Sequence, residues 1–137
     1  DLISLEQTFN DAGAKRALLL NMSVASHCQL LEPAQDPLAE IMSNMVQDSF
    51  EAPIISNVTT KAYNTKADAI ALLRDQLVKP VKYKQSILAI AGDVDMAIEF
   101  GNGVVLKGLN RRIAKDLITL NISDMESLAK VTEEICH

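Results

Sequence analysis

The chain is 137 residues long, 48% hydrophobic and 23% charged, which fits one ordinary globular domain with room for a core. Its net charge of −5 argues against a nucleic-acid binder, which carries a basic balance or a dense basic stripe. No stretch approaches the roughly 20 apolar residues of a membrane span, and no basic segment followed by an apolar block opens the sequence as a signal peptide would.

Three Phe, two Tyr and no Trp leave the core to Leu, Ile, Val, Ala and Met. Cys28 and Cys136 lie far apart, with neither metal-type nor redox-type spacing. They read as two reduced thiols in a cytoplasmic protein.

In chain order, Leu2, Ile3, Leu5, Phe9 and Ala12 recur at three- and four-residue spacings and predict an amphipathic helix over 2–12, stopped by Gly13. The short apolar run 17–24 predicts a buried strand, followed by a loop holding Ser26, His27 and Cys28. Pro33 and Pro37 mark the start of a helix reaching about Asp48, with Leu38, Ile41, Met42 and Met45 inward. Ile54, Ile55 and Val58 predict a short strand, and a polar turn then leads to a helix over 66–78. There Ala69, Ile70, Leu73 and Leu77 share a side. Pro80 ends that helix, because the residue before a proline is pushed out of the helical region.

A helix over 83–91, a strand over 96–100, a Gly101-Asn102-Gly103 turn, a helix over 104–115 and a strand over 117–120 follow. Ser123, with Glu126 three residues on, predicts a capping box for the last helix. Strands alternating with helices indicate an α/β protein with a mainly parallel sheet.

His27 is one of two histidines and the other, His137, is terminal. At the carboxyl end of a strand, where catalytic groups gather in open α/β sheets, it could act as general base and then general acid. Position alone favours a structural loop histidine. Cys28 suggests a Cys-His dyad, but neighbours in extended chain point apart, and packing is the simpler role. The glycine turn fails as a dinucleotide fingerprint, since Leu106 replaces the third glycine, and as a phosphate loop, since Leu109 and Asn110 replace lysine and hydroxyl. The groups Lys15-Arg16, Lys79-Lys82-Lys84 and Arg111-Arg112-Lys115 are solvated faces or local docking patches for an acidic partner.

Taken in order, certain blocks carry a resemblance: Gly13-Ala14-Lys15-Arg16-Ala17; Ser26-His27-Cys28 with Leu31 and Pro33; Ala52-Pro53 with Ser56-Asn57-Val58; and Gln76-Leu77 with Pro80-Val81. The series ends with Glu99-Phe100-Gly101-x-Gly103-x-Val105-Leu106-x-Gly108-Leu109 and Arg112-Ile113. Across nearly the whole chain the sequence resembles the malonyl-CoA:acyl-carrier-protein transacylases of dissociated fatty-acid synthesis.

The resemblance implies the C-terminal part of an α/β-hydrolase-like acyltransferase subdomain over 26–137. Residues 1–25 would form the last helix and strand of a ferredoxin-like small subdomain. It implies transfer of malonyl from coenzyme A, through a seryl ester, to the phosphopantetheine thiol of acyl carrier protein. His27 matches the catalytic histidine, Gln76 the residue whose backbone carbonyl orients it, and Ser26 and Asn57 supporting positions of the site. Lys15 and Arg16 become candidate carrier-protein contacts. Malonyl-CoA and coenzyme A enter as substrate and product, with no tightly bound cofactor, no metal, no nucleic acid and no membrane.

Departures accompany the match. No Gly-x-Ser-x-Gly occurs, so the serine, together with the family's carboxylate-binding arginine and its oxyanion loop, is expected in an N-terminal portion of the same enzyme. Tyr83 stands where relatives often have Trp, and Asn102 and Val104 replace the commoner Pro and Lys. Two other readings stay open: the acyltransferase domain of a modular polyketide or fatty-acid synthase, and a non-catalytic module that binds carrier protein.

Overall fold

The computed structural model describes residues 2–19, 22 and 24–136. Helix α1, Leu2–Asp11, ends at Gly13, whose φ of 88° suits a residue without a Cβ. Of the strand expected over 17–24, residues 17–19, 22 and 24 carry no strand, while 20, 21 and 23 lie outside the described residues. The reason is pairing. A strand needs a neighbour for its N–H and C=O groups, and both sheets among the described residues are made from later segments. Leu18, Leu19, Met22 and Val24 are accordingly exposed.

A 3-10 helix, Gln29–Ala34, runs into α2, Gln35–Met45, shorter than the sequence pattern suggested. Pro37 sits in the first turn of α2, where its missing N–H costs no intrahelical bond. Strands β1, Ser49–Ile55, and β2, Ala62–Thr65, form an antiparallel pair with Ile54 opposite Tyr63 and Ile55 opposite Ala62. Val58, expected in the strand, falls instead in the turn between β1 and β2, and the resulting hairpin is tied by the Ser56 N–H to the Lys61 carbonyl at 3.0 Å. The Ser56 hydroxyl accepts the Val58 and Thr59 N–H groups, each at 3.2 Å.

Thr65 caps α3, Lys66–Val78, its side chain accepting the Asp68 N–H at 3.2 Å. Helix α4, Tyr83–Ile90, precedes β3, Met96–Phe100; α5, Val105–Ile113; and β4, Ile118–Ile122. β3 and β4 pair in parallel, Met96 against Ile118 through Phe100 against Ile122. The two sheets have two strands each, so the expected parallel arrangement holds for β3–β4 and not for the β1–β2 hairpin.

Glu99 organises the β3–α5 crossover. Its two carboxylate oxygens accept the Leu106 and Lys107 N–H groups at 2.9 Å each, at the positive end of α5. The Asn121 amide lies 3.1, 3.2 and 2.7 Å from the carbonyls of Glu99, Gly101 and Gly103. Gly101 adopts φ 131°, so the glycine turn serves backbone geometry. Tyr83 donates its hydroxyl to Asn110 Oδ1 at 2.8 Å, and Asn110 donates to Thr119 Oγ1 at 3.2 Å. Burial, opposed by the Asn110 bond and helped by Glu99, raises the Tyr83 phenol above its ordinary value.

The last helix, α6, Met125–Ile135, is capped by Asp124 and not by Ser123. Asp124 Oδ1 accepts the Ser127 N–H at 2.8 Å while Ser127 Oγ accepts the Asp124 N–H at 3.0 Å. Aspartate and serine at this spacing close the reciprocal pair one residue later than the Ser123–Glu126 pattern suggested.

Among the described residues buried apolar side chains are few and scattered: Met42, Val58, Tyr63, Ala69, Ile87, Leu117 and Val131. Phe100 is 75% and Met125 77% exposed. Among the described residues no helix is long and apolar enough to cross a membrane.

Candidate active site around His27

The turn before the 3-10 helix is built from local hydrogen bonds. The Ser26 N–H donates to the Val24 carbonyl at 3.0 Å, the Cys28 thiol to the Ala25 carbonyl at 3.3 Å, and the Leu31 N–H to the Cys28 carbonyl at 3.1 Å. Between these ties His27 is held at φ 61°, a left-handed conformation in which histidine is several-fold enriched among non-glycine residues. Cys28 returns to extended backbone at φ −144° and ψ 168°. Its thiol engages a carbonyl of its own turn, in keeping with a packing role.

The kink delivers the imidazole to the C-terminal turn of α3. His27 Nδ1 lies 2.8 Å from the main-chain carbonyl oxygen of Gln76. A carbonyl can only accept, so Nδ1 carries the proton and donates it. In the neutral ring Nε2 then keeps the lone pair.

Two further ties hold this turn of α3 against the segment after His27. Gln35 Nε2 donates to the Arg74 carbonyl at 2.9 Å, and the Arg74 guanidinium donates to the Asp36 carboxylate.

His27 and Gln76 share a hollow of about 260 Å³ with Leu38, Met42, Leu73 and Leu77. Leu38 and Met42 of α2 with Leu73 and Leu77 of α3 thus supply an apolar wall to one side of an exposed imidazole, whereas Ile41 and Met45, expected inward, are exposed to solvent. A base in such a place is open to a reacting group and partly screened from water.

The other sequence candidates are placed apart from this wall. Ser26 is exposed and Asn57 half-buried, and neither lines the hollow. Asn57 acts through its carbonyl, which accepts the Lys82 N–H at 2.8 Å and anchors the segment leaving α3. Lys15 and Arg16 are exposed between α1 and the segment leading to His27. Arg16 borders a separate hollow of about 660 Å³ with Leu5, Glu6, Phe9, Ala17, Leu18 and Leu19.

Lys79 is paired with Asp75 at 2.6 Å, while Lys107, Arg111 and Lys115 line a hollow of about 420 Å³ beside β4. Among the described residues no three His, Cys, Asp or Glu side chains gather where they could hold a metal.

No protein-family model matches the chain. Individual proteins do. The chain is 37% identical over 124 residues to the malonyl CoA-acyl carrier protein transacylase of Haemophilus influenzae, spanning 90% of this chain and 40% of that protein. It is 39% identical over 125 residues to the enzyme of the same name from Escherichia coli K12, spanning 89% and 40%.

Among solved structures, the Helicobacter pylori malonyl-CoA:acyl carrier protein transacylase superposes with a TM-score of 0.90 at 40% identity, covering 99% of this chain and 44% of that one. A malonyl-transacylase in complex with its type II polyketide acyl-carrier protein superposes at 0.83 and 34% identity, covering 94% and 42%. The chain is a homologue of these transacylases and spans about two-fifths of the length of the curated relatives it matches.

Proposed function

We propose that this homologue of the malonyl CoA-acyl carrier protein transacylases is the C-terminal, histidine-bearing portion of such an enzyme. The whole enzyme would move malonyl from coenzyme A to the phosphopantetheine thiol of acyl carrier protein, in the cytoplasm. The observation that carries the reading is the 2.8 Å contact between His27 Nδ1 and the Gln76 carbonyl. It fixes one tautomer and leaves Nε2 as the base.

In that role Nε2 takes the proton of a serine supplied by the N-terminal portion as the serine oxygen attacks the malonyl thioester carbonyl. The imidazolium then returns the proton to the departing coenzyme A thiolate. In the second half-reaction Nε2 removes the proton of the carrier thiol, which attacks the seryl ester, and the serine oxygen recovers the proton. A main-chain carbonyl replaces the usual orienting carboxylate. It holds the ring without a buried charge and stabilises the imidazolium by its dipole.

The same reading divides the chain into the end of a ferredoxin-like subdomain over 1–25 and part of an α/β-hydrolase-like subdomain over 26–137. The exposed apolar side chains of β3, β4 and α6 would meet the remainder of the large subdomain. Lys15 and Arg16 would face the carrier protein, and coenzyme A would pass through without a resident cofactor.

The experiment is a two-part reconstitution. The chain alone, and then the full-length enzyme containing it, are incubated with malonyl-CoA and holo carrier protein. Malonyl carrier protein should form only with the full-length enzyme, and robust turnover by the chain alone overturns the assignment.

A further inference from the structure

We infer that Pro80 is a positioning residue for His27, because it keeps the Gln76 carbonyl from being claimed by its own helix. The inference rests on the reading of His27 as the general base.

In an α-helix each carbonyl accepts the N–H four residues on, and the last four carbonyls must look elsewhere. The Asp75 carbonyl is taken by the Lys79 N–H at 2.9 Å. The next in line is that of Gln76, and its helical donor would be the N–H of residue 80. That residue is proline and has none.

Proline also acts one residue earlier. Its ring disfavours the helical region for Lys79, which is found extended at φ −108° and ψ 152°. The departing segment is then anchored away from the helix by the Lys82 N–H on the Asn57 carbonyl at 2.8 Å. Helix α3 therefore stops with the Gln76 carbonyl open, and His27 Nδ1 occupies it at 2.8 Å.

With an alanine at 80, Lys79 is free to stay helical and the new N–H can draw the carbonyl along the helix axis. The imidazole would lose its fixed tautomer and orientation. Pro80 touches no substrate in this account and works only through Gln76.

The test uses the full-length enzyme with Pro80→Ala and, beside it, a variant carrying lactic acid at position 80. Lactic acid has the side chain of alanine, but an ester oxygen replaces the N–H. Two quantities are read: kcat and KM for malonyl transfer, and the 15N resonances of His27, which report the ring nitrogen that is protonated.

The expected result is that Pro80→Ala lowers kcat about tenfold, the scale of one lost orienting hydrogen bond. KM should be unchanged and the Nδ1–H signature weakened, while lactic acid restores both. Wild-type kcat and Nδ1–H signature in Pro80→Ala overturn the inference, and so does equal damage by alanine and lactic acid, which would assign the effect to the ring. Should Pro80→Ala fail to fold, Pro80→Gly is compared with glycolic acid at position 80, which again differ only in N–H against ester oxygen: a loss in glycine that glycolic acid restores supports the inference, and equal behaviour of the two overturns it. His27→Ala is the separate control. If that change is harmless the general-base role falls, while the tautomer measured in Pro80→Ala still decides whether Pro80 positions the ring.

Discussion

His27 and Gln76 stand 49 positions apart in sequence, and the imidazole Nδ1–H of one meets the main-chain carbonyl of the other at 2.8 Å. The contact joins a left-handed turn to the end of a helix. The backbone of His27 at φ 61° costs roughly 1–2 kcal/mol for a residue with a Cβ, and a neutral hydrogen bond returns about 1 kcal/mol. The local ties of Ser26, Cys28 and Leu31 supply the rest of the restraint.

That balance separates catalysis from stability at His27. In the full-length enzyme His27→Ala and His27→Gly should each lower turnover by about 10³-fold or more, because either removes the base. Glycine adopts the left-handed conformation freely, so His27→Gly should unfold at the same temperature as His27→Ala or a higher one. Turnover assays and thermal melts of the pair check this. A histidine change that leaves transfer intact would remove the assigned role.

Cys28→Ser should be mild, within about threefold in turnover, since the hydroxyl can replace the thiol on the Ala25 carbonyl. Loss of transfer in Cys28→Ser with His27→Ala still active would exchange the two roles.

The isolated chain should fold poorly. Among the described residues its sheets are two-stranded, which is marginal by itself, and large apolar side chains including Phe100 and Met125 are exposed. Dye binding to exposed apolar surface and a broad, weakly cooperative melt are expected, both corrected by co-expression with the N-terminal portion. A sharp reversible melt of the monomeric chain would count against the missing half.

The legible and illegible parts of the sequence divide on physical grounds. α4 was readable because it lies between Pro80 and Gly92, and β3 because a short apolar run ends at Gly101. β2 was not: in Ala62–Thr65 only Tyr63 is buried, so the strand has no alternating pattern and is defined by its partner. The run 17–24 has strand composition without a strand partner among the described residues. At α6 two adjacent good capping residues, Ser123 and Asp124, were available, and Asp124 closes the reciprocal pair with Ser127. At the site, helical spacing showed that Leu38 with Met42, and Leu73 with Leu77, each share a face. Nothing in spacing joins those faces to His27, and the pairing with Gln76 entered through the family resemblance. The consequence of Pro80 needed the helix register.

The Asp124 cap predicts a pH response confined to α6. Its carboxyl is held below the ordinary aspartate range by the Ser127 N–H foremost, with the Ser127 hydroxyl adding to the effect. A group depressed in the folded state contributes stability above its unfolded value, about 3.9, and loses it as pH falls through the lower folded value. Amide exchange at Ser127 should therefore accelerate as pH drops below about 4, beyond the intrinsic pH dependence of exchange. Asp124→Asn, a good cap that does not titrate, should lack that extra acceleration. Identical profiles for the two would show that the capping box does not hold the helix end.

The last prediction concerns Lys15 and Arg16. In the proposed role, a chain of net charge −5 would attract an acidic carrier protein through local cations and not through its overall charge. The two exposed residues lie on the connection from α1 toward the His27 turn, with Arg16 against the hollow that contains Glu6. In the full-length enzyme the double change Lys15→Glu with Arg16→Glu should raise the carrier-protein KM and flatten its dependence on salt. Formation of the seryl ester from malonyl-CoA should proceed as before, because coenzyme A needs no carrier docking surface. Quenched-flow measurement of seryl-ester formation, set beside steady-state carrier-protein kinetics at low and high salt, separates the two half-reactions. If both slow equally, the substitutions have damaged folding or a coenzyme A contact, and these residues lose their assignment as the docking site. If neither changes, the two cations belong to a solvated face and carrier-protein attraction must be sought on another surface.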